Sequence, residues 1–443
     1  MVGYSFELAL QGMRRFPRTS ALAMLTVAIG LAASMTTLTL LHTLSADPLP
    51  GLSQHLYLVW VDTVRAKPTT YTTLDGTGVV DYKRLRMADV EALLAARRAV
   101  RQTAVADMFA RVEGGDAGHG NDETILAATS DFIPMFGVAL RDGRSWTAAE
   151  DAARTPVAVI DSELARSLFS TERAVGKVLR IKGHAVRVIG VSAPYAPQPH
   201  FFALDQWSFS GSERERVFMP YSAALDVGAE PRRSDGCDAD TAKDKTLFSV
   251  DVARCAWLGY WVQLDTPQAV ADYRIYLNNY LQQQKDLASF GRSQQAQLLD
   301  VPQWLTLQNV IPDNVRLNVW LAGSFLLLCM VNVTGLLAAK FMRRSAEVGI
   351  RRALGAPRRA VMLQHMIEAG AVCVLGGVLA WPLTLLGLAL LRMQGQGFTD
   401  LARLDVSMFG ALFMLAMLVG MLVGFLPAWQ VSMVQPGLQV KSA

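Results

Sequence analysis

Four stretches of this chain run without an Asp, Glu, Lys or Arg for longer than an α-helix needs to cross a bilayer. Residues 19–46 hold 28 such positions, 317–339 and 369–391 hold 23 each, and 406–440 hold 35. About 20 residues at a rise of ~1.5 Å cover ~30 Å of hydrocarbon. A helix also satisfies its own backbone polar groups there. The runs predict four spans, at 20–44, 317–340, 360–391 and 406–429. They leave a segment 1–19, a large region 45–316, a basic loop 341–359, a short loop 392–405 and a tail 430–443. The charged lead is 19 residues long, and the apolar core after it, at about 25, exceeds the roughly 7–15 of a cleaved signal peptide. The first run therefore reads as an uncleaved signal-anchor.

Charge sets the orientation. Arg14, Arg15 and Arg18 stand against Glu7 at the start, and residues 340–359 carry seven Lys and Arg against one acid, Glu347. The 392–405 loop is balanced by Arg392, Arg403, Asp400 and Asp405. Basic segments stay on the cytoplasmic side, so both termini and the basic loop are expected inside. The formal net charge of +4 is then a basic inner face with a mildly acidic exterior, and it implies no nucleic acid.

The basic loop, KFMRRSAEVGIRRALGAPRR, has a helical pattern of its own. Val348, Ile350, Ala353 and Leu354 are read as one stripe, with Glu347, Arg351 and Arg352 towards another, and Gly355 then Pro357 as the stop. A short amphipathic helix at the inner membrane surface is expected. Within it, EVGIRRALGA resembles the E-[IV]-G-[IV]-R-R-A-L-G-A signature of the MacB/FtsX-like permeases, the membrane subunits of mechanotransmitting ABC transporters. The resemblance implies that Glu347, Val348, Gly349, Ile350, Arg351, Arg352, Ala353, Leu354 and Gly355 touch an ATPase subunit.

Other segments resemble the same family. MRRFPRTS is similar to its approach to the first span, and residues 1–19 are expected as an interfacial helix broken at Pro17, or else as a frayed terminus. In the external region HLYLVWVD (55–62) alternates as a strand and MADVEALLAARR (87–98) reads as a helix with Val90, Leu93, Leu94 and Arg97 on one face. AVADMFARV and ETILAAT are strands around a Gly-rich turn. Ser130 or Asp131 is placed to cap FIPMFG, and Ser162 to cap SELARSLF. KVLRIKGHAVRVIGV is a hairpin around Lys182-Gly183-His184. This order predicts an α+β domain, so the fold class is an α+β membrane protein: four transmembrane helices with the domain inserted between the first two. FIPMFGVALRDGRSW, TPVAVIDSELARSLF and AVGKVLRIKGHAVRVIGV resemble blocks of the family's periplasmic domain. From 297 to 341 the pattern reads as one nearly unbroken helix, which the resemblance makes a stalk.

Single residues inside the runs carry further expectations. Asn332, in the second span, needs hydrogen-bond partners and should face a neighbouring helix. Glu368 is expected at the inner interface near Arg358 or Arg359, as a packing residue rather than in a proton or substrate role. Pro382 predicts a kink. Ala416, Gly420, Gly424 and Ala428 form a smooth ridge for close helix contact. Cys237 and Cys255 lie in an oxidising compartment, where a disulfide closing the loop is worth ~3 kcal/mol; the alternative is two free thiols. Asp235, Asp238 and Asp240 lack the pattern of a calcium loop.

No G-x-x-x-x-G-K-[ST], H-E-x-x-H or G-x-S-x-G occurs, and no Cys pair has zinc spacing. No metal, catalytic residue or cofactor of the chain's own is expected. By length the chain matches four-span family members encoded apart from their ATPase, which binds the ATP and Mg. The resemblance implies a non-catalytic permease in the bacterial inner membrane, working in efflux or export with an ABC ATPase and a second permease, identical or a paralogue. A periplasmic membrane-fusion adaptor and an outer-membrane channel are further implied partners. Its alternatives are lipoprotein release, or a signalling scaffold that activates a periplasmic partner.

Overall fold

A computed structural model describes residues 15–45, 47–61, 70–72, 79–81, 84–114, 119–197, 199–202, 204, 214–232, 251–286, 296–308, 313–355, 357–393 and 406–432. Residues 1–14 of the expected 1–19 helix, Cys237, the acidic turn at 234–245 and the 392–405 loop lie outside these. The chain divides into two units, one of Met1–Thr43 with Asp313–Ala443, the other of Leu44–Pro312.

The first helix among the described residues is α1 (Pro17–Ser45), with Pro17 at its first position, where a missing N–H costs nothing. The second unit then follows. Its strands are β1 (Leu56–Trp60), β2 (Thr70–Thr72), β3 (Val79–Asp81), β4 (Leu85–Arg86), β5 (Arg101–Gly114), β6 (His119–Ala128), β7 (Leu140–Gly143), β8 (Val157–Asp161), β9 (Val178–Ile181), β10 (His184–Ser192), β11 (Val217–Pro220), β12 (Glu230–Pro231), β13 (Ala256–Gln263) and β14 (Gln297–Asp300). Its helices are α2 (Met87–Ala96), α3 (Phe132–Met135), α4 (Ala148–Ala152), α5 (Ser162–Phe169), α6 (Tyr221–Asp226), α7 (Pro267–Asp286) and α8 (Val301–Leu307).

Among the described residues twelve strands form one mixed sheet, with the path β14-β1-β13-β5-β6-β11-β8-β10-β7. The parallel pairs β6/β11 and β8/β10 need crossovers, and α5 lies in the second. All five residues of β8 are buried, the first four of them apolar, as in a strand covered on both faces. Its alternate residues feed separate cores. Ala158 and Ile160 join Met108, Val112 and Tyr260, whereas Val157 and Val159 join the aromatic cluster of Phe132, Phe136, Phe202, Phe218 and Trp261. An α+β domain is what the strand and helix order predicts.

Local details depart from expectation in instructive ways. Asp161, not Ser162, caps α5, accepting from Leu164 N at 2.5 Å. Asp131 makes no cap on α3; its carboxylate accepts from Gln102 N across the sheet end at 3.1 Å. The hairpin at Lys182-Gly183 has φ of +46° and +86°, the primed turn that a two-residue loop needs.

The helical reading of 297–341 is corrected at its outer end. Gln297–Asp300 is a strand, paired with β1 from Trp60↔Gln297 to Tyr57↔Asp300. Asp300 then starts α8 with a capping box to Gln303, and Pro302 sits in the first turn. Proline is well placed there, since the N–H it lacks would be unpaired in a first turn. Trp304 locks α8 down against Trp60, with ring centroids 5.0 Å apart, and donates from Nε1 to Phe201 O at 2.9 Å. Residues 309–312 lie outside the described ones, and helix resumes only at Asp313.

The other unit continues with α9 (Asp313–Met342), α10 (Ser345–Ala353), α11 (Arg358–Met393) and α12 (Val406–Ser432). Among the described residues three helices are long and apolar enough to cross a membrane, Pro17–His42, Val315–Met342 and Arg358–Leu391; Phe413–Trp429 is a shorter apolar stretch. α11 runs through Pro382. Small residues bring the helices together. A Cβ on Gly377 would stand 2.9 Å from Ala416, one on Gly420 3.0 Å from Cys373, and one on Gly424 2.6 Å from Ala369. Those three contacts step in antiparallel register along α11 and α12, so the ridge at Gly420 and Gly424 packs within this chain. α1 meets α9 at Gly30 and Cys329, and Ser34 donates to Ala322 O at 3.3 Å.

Candidate functional site

Lys340 and Glu368 bound different apolar runs, and each alone would be expensive to bury. Together they form an ion pair of 2.7 Å, with both side chains 1% exposed. The Lys340 ammonium also donates to Ser20 Oγ of α1 at 2.9 Å. The second Glu368 oxygen faces Arg344 Nη1 at 3.5 Å, and Arg344 Nε stands 3.6 Å from Glu347 Oε2. Glu347 in turn lies 3.5 Å from Arg15 Nη1. Charge thus alternates from Lys340 of α9 through Glu368 of α11 and Arg344 to Glu347 of α10 and Arg15. Glu368 pairs with Lys340 and Arg344, not with Arg358 or Arg359, which are exposed; a buried carboxylate takes the cations that share its buried layer. Lys340 is therefore a core residue of the bundle, not a loop cation.

That ionic chain holds α10. Glu347 in its first turn suits the helix dipole. At the other end Gly355, at φ +100°, closes the helix with its N–H on Arg352 O at 3.1 Å, a backbone setting that glycine adopts at little cost. Val348 is 7% exposed and packs with Leu337, Phe341 and Val361 at the base of the bundle; Gly349 beside it is buried. Phe341 meets His365 edge to face at 4.4 Å, and His365 donates from Nδ1 to Val361 O at 2.8 Å.

The outward side of α10 differs from expectation. Ile350 is 57% exposed and Leu354 83%. At ~100° per residue Val348 stands about 160° from Ile350, so these three do not share a stripe. One face docks on the bundle through Val348, and the opposite one shows Ile350 and Leu354, one turn apart. Arg352 is half-buried. The side chains of Arg351 and Ala353 lie outside the described ones.

Asn332 is exposed on α9. α9 turns other residues, Val333 and Leu337, towards its neighbours. Cys255 is buried and disulfide-bonded, whereas Cys329 and Cys373 are free thiols buried in the membrane unit.

The Leu44–Pro312 unit holds a groove of about 730 Å³ beside α2, α4 and α6, lined among others by Gln102, Asp131, Asp151, Arg154 and Tyr221. Burial pushes the Asp151 carboxyl up, although Ser130 N and Trp146 Nε1 donate to it at 2.7 and 2.9 Å. Burial likewise raises the Tyr221 phenol to about 12. Sequence reasoning singled out neither this groove nor the Lys340–Glu368 pair. The pair had a signal: Lys340 directly bounds one charge-free run and Glu368 another.

Sequence profiles of two families cover these units. That of the MacB-like periplasmic core domain matches residues 20–274, more than half of the chain. That of the FtsX-like permease C-terminal domain matches residues 319–436. Similar proteins include the macrolide export ATP-binding/permease protein MacB of Bordetella avium, 23% identical over 435 residues, which are 98% of this chain and 59% of that protein. Its counterpart MacB 1/2 of Paracoccus denitrificans is 26% identical over 439 residues, 98% of this chain and 58% of that protein. The chain thus spans less than two thirds of those relatives' length. Among solved structures, the periplasmic region of MacB from Actinobacillus actinomycetemcomitans is 14% identical with a TM-score of 0.37, over 59% of this chain and 96% of that one. With an α+β domain under the first profile, and under the second an apolar bundle that anchors a short basic helix, the chain belongs to the MacB/FtsX-like ABC permease family, as a membrane protein with a periplasmic domain.

Proposed function

We propose that this chain is the membrane subunit of an ABC transporter of the bacterial inner membrane. In this reading it crosses the bilayer four times and couples ATP hydrolysis on a separate ATPase to movement of the periplasmic domain. The observation that carries the reading is the two-sidedness of α10. Its inner face is fixed by Val348 and by the Glu347–Arg344–Glu368 ionic chain, while Ile350 and Leu354 stand uncovered on a helix rich in arginine. A rigidly held helix with an apolar outer pair suits a partner that pushes on it from the cytosol. ATP and Mg belong to that partner, and this chain takes no catalytic part. The naming of the Bordetella and Paracoccus relatives as macrolide export proteins favours export as the direction. A second permease, a membrane-fusion adaptor and an outer-membrane channel would complete the assembly.

The test is co-purification and coupled transport. Ile350→Asp with Leu354→Asp is expected to release the ATPase subunit while leaving the detergent-solubilised chain folded. Gly349→Pro, or charge reversal at Arg351 and Arg352, should uncouple ATPase activity from transport. Unchanged transport in all of these variants would sink the proposal. An ATPase that binds and turns over while vesicles move no compound would favour the signalling scaffold.

A further inference from the structure

The groove beside α2, α4 and α6 belongs to the Leu44–Pro312 unit, and α10 to the other. At about 730 Å³ it has the size of sites that hold drug-sized molecules. Its walls are of two kinds. Met87, Leu94, Val100 and Leu225 give it apolar surface, and Val100 is 62% exposed. Glu91, Asp131 and Asp151 give it three carboxylates. Among the described residues none of the three makes an ion pair with a lysine or arginine. Glu91 accepts from the Tyr221 hydroxyl at 3.5 Å, Asp131 from Gln102 N at 3.1 Å, and Asp151 from Ser130 N and Trp146 Nε1.

The arginines that line the groove place their charge elsewhere. Arg154 donates to both oxygens of Asp226, from Nε at 2.7 Å and from Nη2 at 2.5 Å. Arg101 donates to Gln263 Oε1 at 3.2 Å, and Arg97 sits at the C-terminal end of α2, where the helix dipole favours a cation. The surplus of negative charge is felt locally. Burial, then the charges of Glu91 and Asp151, raise the Tyr221 phenol, and the Asp131 charge adds to the burial that raises Asp151. The groove also has an open acceptor. Gln102, 8% exposed, donates from Nε2 to Leu94 O, and its Oε1 has no hydrogen-bond partner among the described residues. A buried acceptor left open is costly, and with the Asp131 carboxylate beside it a charged donor is favoured. A metal ion does not answer this chemistry. Among the described residues no three acidic, histidine or cysteine side chains gather closely enough to hold one, and an ion offers nothing to the apolar wall.

We propose that this groove binds an organic ammonium carried on an apolar body. Its N–H groups are directed to the Asp131 carboxylate and Gln102 Oε1, Glu91 and Asp151 add attraction, and the body lies against Leu94, Val100 and Leu225. The inference stands apart from the coupling role of α10, because such binding needs neither nucleotide nor an ATPase. A chain that binds the amine and couples to no ATPase would leave it intact and sink the coupling reading alone.

The test uses the full-length chain in lipid nanodiscs, where the native Cys329 and Cys373 thiols are buried, and reads maleimide labelling of Val100→Cys. The probe is dansylcadaverine, a primary amine on a naphthalene body. Dansylamide, with the same rings and no amine, and dansylglycine, an anion, are the controls. At about ten times its dissociation constant dansylcadaverine is expected to slow labelling of Val100→Cys about tenfold. It should leave Val178→Cys unchanged, a position 51% exposed and outside the groove lining. Glu91→Gln with Asp131→Asn is expected to weaken the protection about tenfold. Glu91→Gln alone, at an exposed position, is expected to weaken it about threefold, which keeps the test open if Asp131→Asn disturbs the fold. Equal protection by dansylamide or dansylglycine, or protection unchanged in both variants, would overturn the assignment of a cation. Equal protection at Val178→Cys, or none at Val100→Cys from any of the three compounds, would overturn the site.

Discussion

Lys340 and Glu368 show how strongly one residue pair can weigh on a membrane bundle. Removing one member leaves the other charge buried and uncompensated, which typically costs about 3–5 kcal/mol, whereas replacing both with apolar residues of similar size is close to neutral. Lys340→Met is therefore expected to lower the unfolding midpoint of the solubilised protein sharply, and Lys340→Met with Glu368→Met much less. Equal losses in the single and double variants would mean that the two are not coupled. At Gly424, where a Cβ would fall 2.6 Å from Ala369, Gly424→Leu should cost about 1–3 kcal/mol by overpacking. Glu150 offers a test outside the membrane. Its hydrogen bonds with Arg144 and with the Thr147 cap hold its carboxyl down at about 2, below its ordinary value. Its contribution is thus present above that ordinary value and lost as pH falls towards about 2. Glu150→Gln should flatten the acid side of the stability–pH profile over that interval, and an unchanged profile would count against the capping interaction.

The β9–β10 hairpin was legible because Lys182-Gly183 sits between two alternating runs, and α2 because Val90 and Leu93 recur at helical spacing; both of these are buried. The stretch before Asp313 was misread for a physical reason. Leu298 and Leu299 suit either period, and only the pairing with β1, distant in sequence, decides for strand. Glu368 likewise found its cation on another helix, at Lys340, and sequence proximity to Arg358 and Arg359 was no guide. In α10 the apolar residues lie on opposite faces, which gives distinct expectations. Val348→Asp should destabilise the bundle itself, visible as a lower unfolding temperature. Ile350→Asp should leave that temperature within about 0.5 kcal/mol of stability and act only on partner binding. Matching effects from both variants would remove the distinction between a docked face and a free one.

For the whole molecule, the apolar runs were the most legible feature, since hydrocarbon thickness fixes their length. The α+β domain followed from the order of strands and helices, but its mixed twelve-stranded sheet depends on long-range pairing that no local pattern states. Protease added outside sealed spheroplasts is expected to cut within Leu44–Pro312 and to spare α10; cleavage at α10 would invert the topology. Cys255, already bonded, is expected to resist thiol labelling until a reductant is added, and peptide mapping without reduction should join it to Cys237. Recovery of Cys255 with any other partner, or labelling of Cys237 in native protein, would exclude that bridge.

The pairing of β14 with β1 has a mechanical corollary. The domain's first strand starts and its last strand stops at the same end of an antiparallel pair, Tyr57 standing opposite Asp300, and α8 is held on Trp60 before the outgoing tether begins. Tugging both tethers the same way carries the two strands along as one handle. Driving them in opposite senses loads a ladder of only four residue pairs in shear, at the very edge of the sheet.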